Sequence, residues 1–165
     1  MNSKKIAYFA IGLWAVTAIG VGTLLVRGHT KESTDGRRTV LVSAGERSMI
    51  FREMRGMLSS VQGILIAHVA NDKAEVARVA SLSGMGAAVD VSPALLFKLP
   101  LEFKELGFGT HRAFDTLAQA AKDEGTSNMT LVRLGELLGR CVACHAAYQF
   151  QIEGNSQTDH GSHAD

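Results

Sequence analysis

After residue 40, apolar residues recur at three- and four-residue spacing, which predicts a series of amphipathic helices. We expect four of them, over residues 40–69, 73–89, 101–123 and 127–150. Asp72 is the expected N-cap of the second helix. Both prolines fall in residues 90–100, so this stretch is expected to be a connection with room for a short helical turn. No segment indicates a strand, and the pattern predicts an all-α fold, an antiparallel four-helix bundle over residues 40–150.

The N-terminus carries a different pattern, an apolar run without charges. Lys4 and Lys5 precede it, and it covers residues 6–26. As a helix this run is about 31 Å long at about 1.5 Å per residue, which is enough to cross the hydrocarbon core of a bilayer. We expect residues 1–27 to be an uncleaved membrane anchor. The alternative is a signal segment, for which the small residues around Gly20 suit a cleavage site.

Two polar stretches flank the predicted bundle. Residues 28–39 lack apolar periodicity, which predicts a flexible linker between the anchor and the bundle. Residues 151–165 are polar and are expected to form a disordered tail. The histidines of that tail, His160 and His163, are interpreted as tail composition rather than as a metal site.

The charge balance excludes one class of partner. The chain has 17 Lys and Arg residues against 16 Asp and Glu residues, for a net charge of +1. The basic residues form no stripe, and proteins that bind nucleic acid ordinarily carry one. We therefore expect no nucleic-acid partner.

Candidate chemistry enters with Cys141-Val142-Ala143-Cys144-His145, which contains both cysteines of the chain. This C-x-x-C-H spacing is the attachment signature of a c-type haem. On a helix, positions i, i+3 and i+4 lie on one face. Two thiols on that face can bond the two vinyl groups of one haem, and the imidazole can reach the iron from the same side. We expect one covalent haem, with thioethers at Cys141 and Cys144 and His145 as the proximal ligand.

Two other interpretations of the cysteine pair fit less well. A thiol redox pair is typical of a strand followed by a helix, and no strand pattern precedes Cys141. A structural zinc site needs four ligands and usually a second paired motif, which the sequence does not contain.

The motif also decides on which side of the membrane we expect the domain to lie. The charges alone leave this ambiguous, because basic residues stand on both sides of the apolar run. Covalent haem attachment takes place outside the bacterial cytoplasm. We therefore expect a single-pass protein of the bacterial inner membrane with its haem domain in the periplasm. If the N-terminal segment is cleaved, the same domain is soluble in the periplasm.

A single C-x-x-C-H near the end of the last helix of a four-helix bundle resembles cytochrome c′ and its low-spin relatives, the class II cytochromes c. The resemblance covers residues 40–150. It depends on the five motif residues, on Tyr148 one turn later, and on the first-helix segment Arg52-Glu53-Met54-Arg55-Gly56-Met57-Leu58. A retained anchor would depart from the usual soluble member of that family.

The resemblance implies that His145 is the proximal ligand and that the first helix supplies the distal side. An apolar residue there leaves the iron five-coordinate, whereas a methionine makes it six-coordinate. Met54 lies nearest the implied position, and Met57, one turn away, is the alternative. A register that aligns Arg52 with a family arginine would instead put Gly56 opposite the iron. The sequence leaves these choices open.

Other side chains are less favoured as haem ligands or as partners of the haem propionates. Arg140, directly before the motif, could pair with a haem propionate or be a solvated helix charge. His68 and His111 are less favoured sixth ligands. The remaining methionines of the bundle are interpreted as packing residues: Met49, Met85 and Met129.

Taken together, these expectations describe an electron carrier rather than an enzyme. A haem in a rigid domain at the membrane can accept an electron from one redox partner protein and donate it to another. The alternative is a five-coordinate haem protein that binds or senses nitric oxide or carbon monoxide, and a third hypothesis is a haem subunit of a larger membrane complex. Family members often pair through their helices, so a homodimer is an open option.

Overall fold

The computed structural model describes residues 3–88, 91–123 and 127–154, and the chain in these ranges is mostly helical. The α-helices are α1 (Ser3–Arg27), α2 (Ala44–Val69), α3 (Lys73–Ser81), α4 (Pro93–Lys98), α5 (Leu101–Asp123) and α6 (Ser127–Ala147). A 3-10 helix, Met85–Ala88, follows α3. The strands are β1 (Thr30–Glu32), β2 (Arg38–Val42) and β3 (Tyr148–Ile152).

The helical pattern of the sequence is largely confirmed. Helix α5 has the predicted bounds, and α3 begins after Asp72, whose side chain accepts a hydrogen bond from the backbone N–H of Glu75. The expected helix over residues 73–89 is shorter, because α3 ends at Ser81 and a 3-10 turn follows; residue 89 lies outside the described ranges. The short turn expected in residues 90–100 is α4, capped by Ser92.

The prediction that no segment forms a strand is wrong. Strand β2 lies between β1, to which it is antiparallel, and β3, to which it is parallel. The predicted first helix therefore loses residues 40–43, since α2 begins only after Ser43, which forms a capping box with Glu46. The predicted fourth helix likewise ends at Ala147 rather than at residue 150.

The sheet also reaches into both predicted polar flanks. Residues 28–39, expected as a flexible linker, contain β1 and the first two residues of β2. At the other end, residues 151 and 152 belong to β3, and the backbone N–H of Glu153 bonds to the carbonyl of Val42. The rest of the predicted tail, including His160 and His163, lies outside the described residues.

The core consists of two hydrophobic clusters between the packed helices and strands. Helix α3 packs against α2 and α5, and α5 packs against α6. The first cluster includes Ile64 and Phe114 and has Cys141 at its edge. The second includes Leu95 of α4 together with residues of β2 and of the start of α5, and it has Cys144 at its edge. The motif on α6 therefore lies where the two clusters meet.

Helix α1 stands apart from both clusters. Among the described residues it is the one helix long and apolar enough to cross a membrane, over Lys4–Arg27, and none of that span is buried inside the protein. A signal sequence near the N-terminus can meet the same criteria of length and hydropathy. The C-terminal end of α1 contacts α4 and α5.

Candidate functional site

A cavity of about 580 Å³ lies among α2, α4, α5 and α6. Its size falls within the range of about 300–1,000 Å³ that is usual for ligand and cofactor pockets. Most of its lining is aliphatic or aromatic, including Ile50, Leu95, Leu99, Phe103 and Phe114. This lining suits a large flat apolar group rather than a polar metabolite.

The predicted attachment residues share one wall of this cavity. Cys141, Cys144 and His145 all line it. They lie in the last two turns of α6, where the i, i+3, i+4 spacing puts them on one face. Directly after that helix, Tyr148 begins β3, which pairs with β2. The sheet therefore fixes the end of the helix that carries the motif.

Helix α2 contributes both predicted methionines to the lining. Met54 and Met57 are half-buried and are three residues apart, so they share a helix face. Met54 also lines a second cavity of about 190 Å³, and His145 lines both cavities as well. Gly56, by contrast, is exposed and lines neither of them. The register that would put Gly56 opposite the iron therefore has no support in this geometry.

The two thiols are poorly suited to redox exchange. Burial raises the pKa of Cys141, and burial together with the neighbouring Cys141 raises the pKa of Cys144 to about 11. Reactive cysteine pairs depend on a lowered pKa, because the thiolate is the nucleophile. Half-buried, protonated thiols at a cavity wall disfavour the redox-pair interpretation.

Aromatic side chains form much of the lining of the second cavity, which His145 also borders. The ring of Phe103 meets those of Tyr148 and Phe150 edge to face, with centroids 5.3 Å and 5.4 Å apart. The hydroxyl of Tyr148 donates a hydrogen bond to Glu102 at 3.0 Å. Burial and this bond raise the pKa of Tyr148 to about 12. The phenol therefore stays neutral and holds β3 against α5.

The structure adds a polar pair to the cavity wall that the sequence did not indicate. Nε2 of His111 lies 3.1 Å from Oε1 of Glu53, and Nδ1 lies 2.9 Å from the carbonyl oxygen of Ser83. His111 is only 4% exposed. Burial on its own lowers the pKa of His111, but the bonds to Glu53 and Ser83 outweigh it, so the pKa lies above its usual 6.5. Both ring nitrogens are engaged, which disfavours His111 as an iron ligand.

This pair predicts a pH-dependent contribution to stability. Because the folded-state pKa of His111 is raised, the stabilisation is complete below about pH 6.5 and is lost as the pH rises through the folded-state value. We expect Glu53→Gln to lower the free energy of unfolding by about 2 kcal/mol near pH 6, and by less near pH 9. Urea unfolding at a series of pH values measures this difference.

The matched control is Glu75→Gln. It removes the partner of Arg78, an exposed pair on α3 at 2.6 Å, and neither residue of that pair titrates between pH 6 and 9. We therefore expect a small loss that does not vary over that range. A Glu53→Gln loss equally independent of pH would contradict the assignment of the charged pair.

The cations predicted and observed at the site are different residues. Arg140 lines neither cavity; its guanidinium packs over Gly109 of α5, where a Cβ atom would lie 2.8 Å from Nη1. The cations that do line the large cavity are Arg55 and Lys104. Either can pair with a carboxylate at its edge. Arg140 therefore lies outside the cavity, whereas Arg55 and Lys104 line it.

The remaining methionines and His68 differ in whether they line a cavity. Met49 lines the large cavity, whereas Met85 and Met129 are partly exposed and line neither cavity. His68, near the end of α2, also lies outside both linings. Its position therefore gives no support to a role as sixth ligand.

No group of three or more His, Cys, Asp and Glu side chains that could hold a bare metal ion occurs within residues 3–88, 91–123 and 127–154. A haem needs no such group, because the macrocycle supplies four nitrogen ligands and the protein only one or two. Comparison of the chain with protein-family models, curated proteins and solved structures finds no match.

Proposed function

We propose that this protein is a membrane-anchored, mono-haem c-type cytochrome that carries electrons on the periplasmic side of the bacterial inner membrane. The observation that carries the proposal is one apolar cavity with Cys141, Cys144 and His145 on one wall and Met54 on another. Attachment thiols, a proximal ligand and a candidate distal ligand thus share one space of suitable size.

The residues around the cavity fit a covalently held haem. Cys141 and Cys144 would form the two thioethers, and His145 would bind the iron from the same helix face. The aliphatic walls would exclude water from the macrocycle, and Arg55 would pair with a propionate at the edge. When bound, the haem supplies a one-electron couple between ferric and ferrous iron.

The fold proposed for the domain is an antiparallel four-helix bundle of α2, α3, α5 and α6, as in the class II cytochromes c. The support is the packing of α3 on α2 and α5, and of α5 on α6. The small sheet would then be an addition that joins the start of α2 to the end of α6.

The proposed anchor is α1. Its large apolar side chains face outward along its whole length, and its threonines are satisfied within the helix. The hydroxyl of Thr17 donates to the carbonyl of Leu13, and that of Thr23 donates to the carbonyl of Ile19. A helix in lipid needs this internal satisfaction, since the hydrocarbon offers no hydrogen-bond partners.

The support for a carrier role is the apolar rim of the cavity. Leu58 and Val142 are 66% and 69% exposed at its rim. An apolar rim of this kind lets a redox partner protein approach the haem edge closely, and electron transfer slows steeply with distance.

Methionine ligation gives the proposal its spectroscopic test. With Met54 as distal ligand, we expect the purified protein to show a six-coordinate, low-spin absorption spectrum. Met54→Ala should then become five-coordinate and high-spin and should lower the reduction potential, because methionine ligation raises it. Met57→Ala should leave the low-spin spectrum in place.

Met49→Ala is the matched control, since Met49 lines the same cavity as a packing residue. A wild-type spectrum that is already high-spin and responds to nitric oxide would favour the gas-binding alternative. A low-spin spectrum lost in Met57→Ala but kept in Met54→Ala would exchange the roles of the two methionines.

A further inference from the structure

The junction between α1 and the rest of the chain is folded tightly rather than flexibly linked. The backbone N–H of His29 donates to the carbonyl of Lys98 at 2.7 Å. Gly28 has a φ of +63° and lies directly against Lys98, Leu99 and Pro100, so that an added Cβ would collide with their backbone. Only glycine suits both the left-handed conformation and this close approach. The end of α1 is therefore fixed against the corner where α4 meets α5.

A side chain of α5 reaches further down α1. Nζ of Lys104 donates to the carbonyl oxygen of Leu25 at 3.2 Å. Leu25 is one of the last apolar residues of the span Lys4–Arg27. The start of α5 thus lies at the level where the proposed membrane helix leaves the hydrocarbon.

Two large apolar side chains stand exposed on this corner. Phe97 is 45% exposed on α4, and Leu101 is 44% exposed at the start of α5. They flank the three residues that contact Gly28. Leu101 and Lys104 are three residues apart, so they share the helix face that is turned toward α1.

Two cationic side chains at the junction are placed to bind lipid phosphate groups. Lys98 is neutralised by Glu46 at 2.8 Å and by Glu153 at 3.0 Å. Arg27, which ends α1, is exposed and bears a charge. Arg27 and Lys104 can snorkel to phosphate groups while their stems, like the neighbouring apolar side chains, remain in the interface.

We propose that the α4–α5 corner is a second membrane contact, with Phe97 and Leu101 inserted into the headgroup region of the bilayer beside α1. This inference rests on the proposed role of α1 as a membrane anchor. The contact holds the domain in one orientation. It also keeps the cavity wall formed by Leu96 and Lys104 close to the membrane surface.

Tryptophan quenching by brominated lipid tests this contact in the full-length chain. Phe97→Trp and Leu101→Trp are each made in a Trp14→Phe background, which removes the one native tryptophan. Each protein is reconstituted in phosphatidylcholine–phosphatidylglycerol nanodiscs with and without bromine near the headgroup end of the acyl chain. The ratio of the two emissions cancels any constant quenching by a haem. We expect both variants to lose most of their emission in the brominated discs.

Val69→Trp in the same background is the control. Val69 is 80% exposed at the far end of α2 from Glu46, roughly 35 Å away along the helix. We expect no loss of emission there. Two independent positions on the corner keep the test decisive if one variant fails to fold.

The native protein, whose tryptophan is Trp14, distinguishes failure of the α1 anchor from failure of the α4–α5 contact. Quenching of Trp14 with no quenching at positions 97 and 101 would leave the anchor in place and overturn the corner contact. Because Trp14 lies near the middle of the span Lys4–Arg27, it is measured in discs whose lipid carries bromine near the tail end of the acyl chain, and absence of quenching there would overturn the anchor itself. Haem content is read independently from absorbance.

Discussion

Replacing both Cys141 and Cys144 with serine is expected to abolish covalent haem attachment. In a host that attaches haem to periplasmic proteins, the wild-type chain should gain the mass of one haem and keep it on a denaturing gel. The double variant has no thiol left anywhere in the chain, so no thioether can form. We expect its intact mass to equal that of the polypeptide alone. Each single variant should retain one thioether and yield less haem protein.

Ala143→Ser is the matched control for this experiment. It introduces the same hydroxymethyl side chain at an exposed position between the two cysteines, and it leaves both thiols in place. We expect full haem attachment. A wild-type chain without added mass after maturation would contradict the proposed function as a whole, whereas a double variant with covalent haem would contradict the assignment of these two residues.

The helices could be predicted from the sequence because each carries a periodic apolar face that needs no distant partner to be recognised. Helix α5 is the clearest case, because Phe103, Phe114 and Leu117 recur at helical spacing and all three are buried. The apolar residues of α6 are covered unevenly, since Leu137 is fully buried whereas Leu131 is 45% exposed. The sequence pattern shows which residues form the apolar stripe of a helix, but the packing of neighbouring helices decides which of these residues are buried.

Two local signals for the strands are present in the sequence but do not decide the structure on their own. Ser43 and Glu46 have the spacing of a capping box, which begins a helix after residue 43 and leaves Val40 and Val42 outside it. Residues 148–152 read Tyr-Gln-Phe-Gln-Ile, an alternation with the period of a strand. Both segments adjoin long helices, and their apolar residues also fit a continued helical stripe. What decides between a strand and a continued helix is the pairing of β2 with β3, which joins segments more than 100 residues apart.

The candidate site likewise has a part that could be predicted from local sequence and a part that depends on distant residues. Its α6 wall could be predicted, because the three motif residues are within five positions of one another. Its opposite wall depends on which residues α4 and α5 turn toward α2. The Glu53–His111 pair joins residues 58 positions apart. Arg140 adjoins the motif in sequence but lies against Gly109, since one position along a helix turns a side chain by about 100°.

Removal of the proximal imidazole is expected to have the second largest effect. In His145→Ala the thioethers would still hold the haem, so the mass should equal that of the loaded wild type less the imidazole. The absorption spectrum should change, because the iron loses its strongest protein ligand. We also expect the free energy of unfolding to fall, because the bond between His145 and the iron would no longer hold the end of α6 against the haem.

Added imidazole gives this variant a specific test. His145 is exposed at a rim that borders both cavities, so a free imidazole molecule can enter the space left by its side chain. We expect millimolar imidazole to restore the wild-type spectrum of His145→Ala. His68→Ala removes a histidine outside both cavities and should leave the spectrum unchanged. A wild-type spectrum in His145→Ala without added imidazole would mean that another side chain binds the iron, and His111, which lines the same cavity, would then be the next residue to replace.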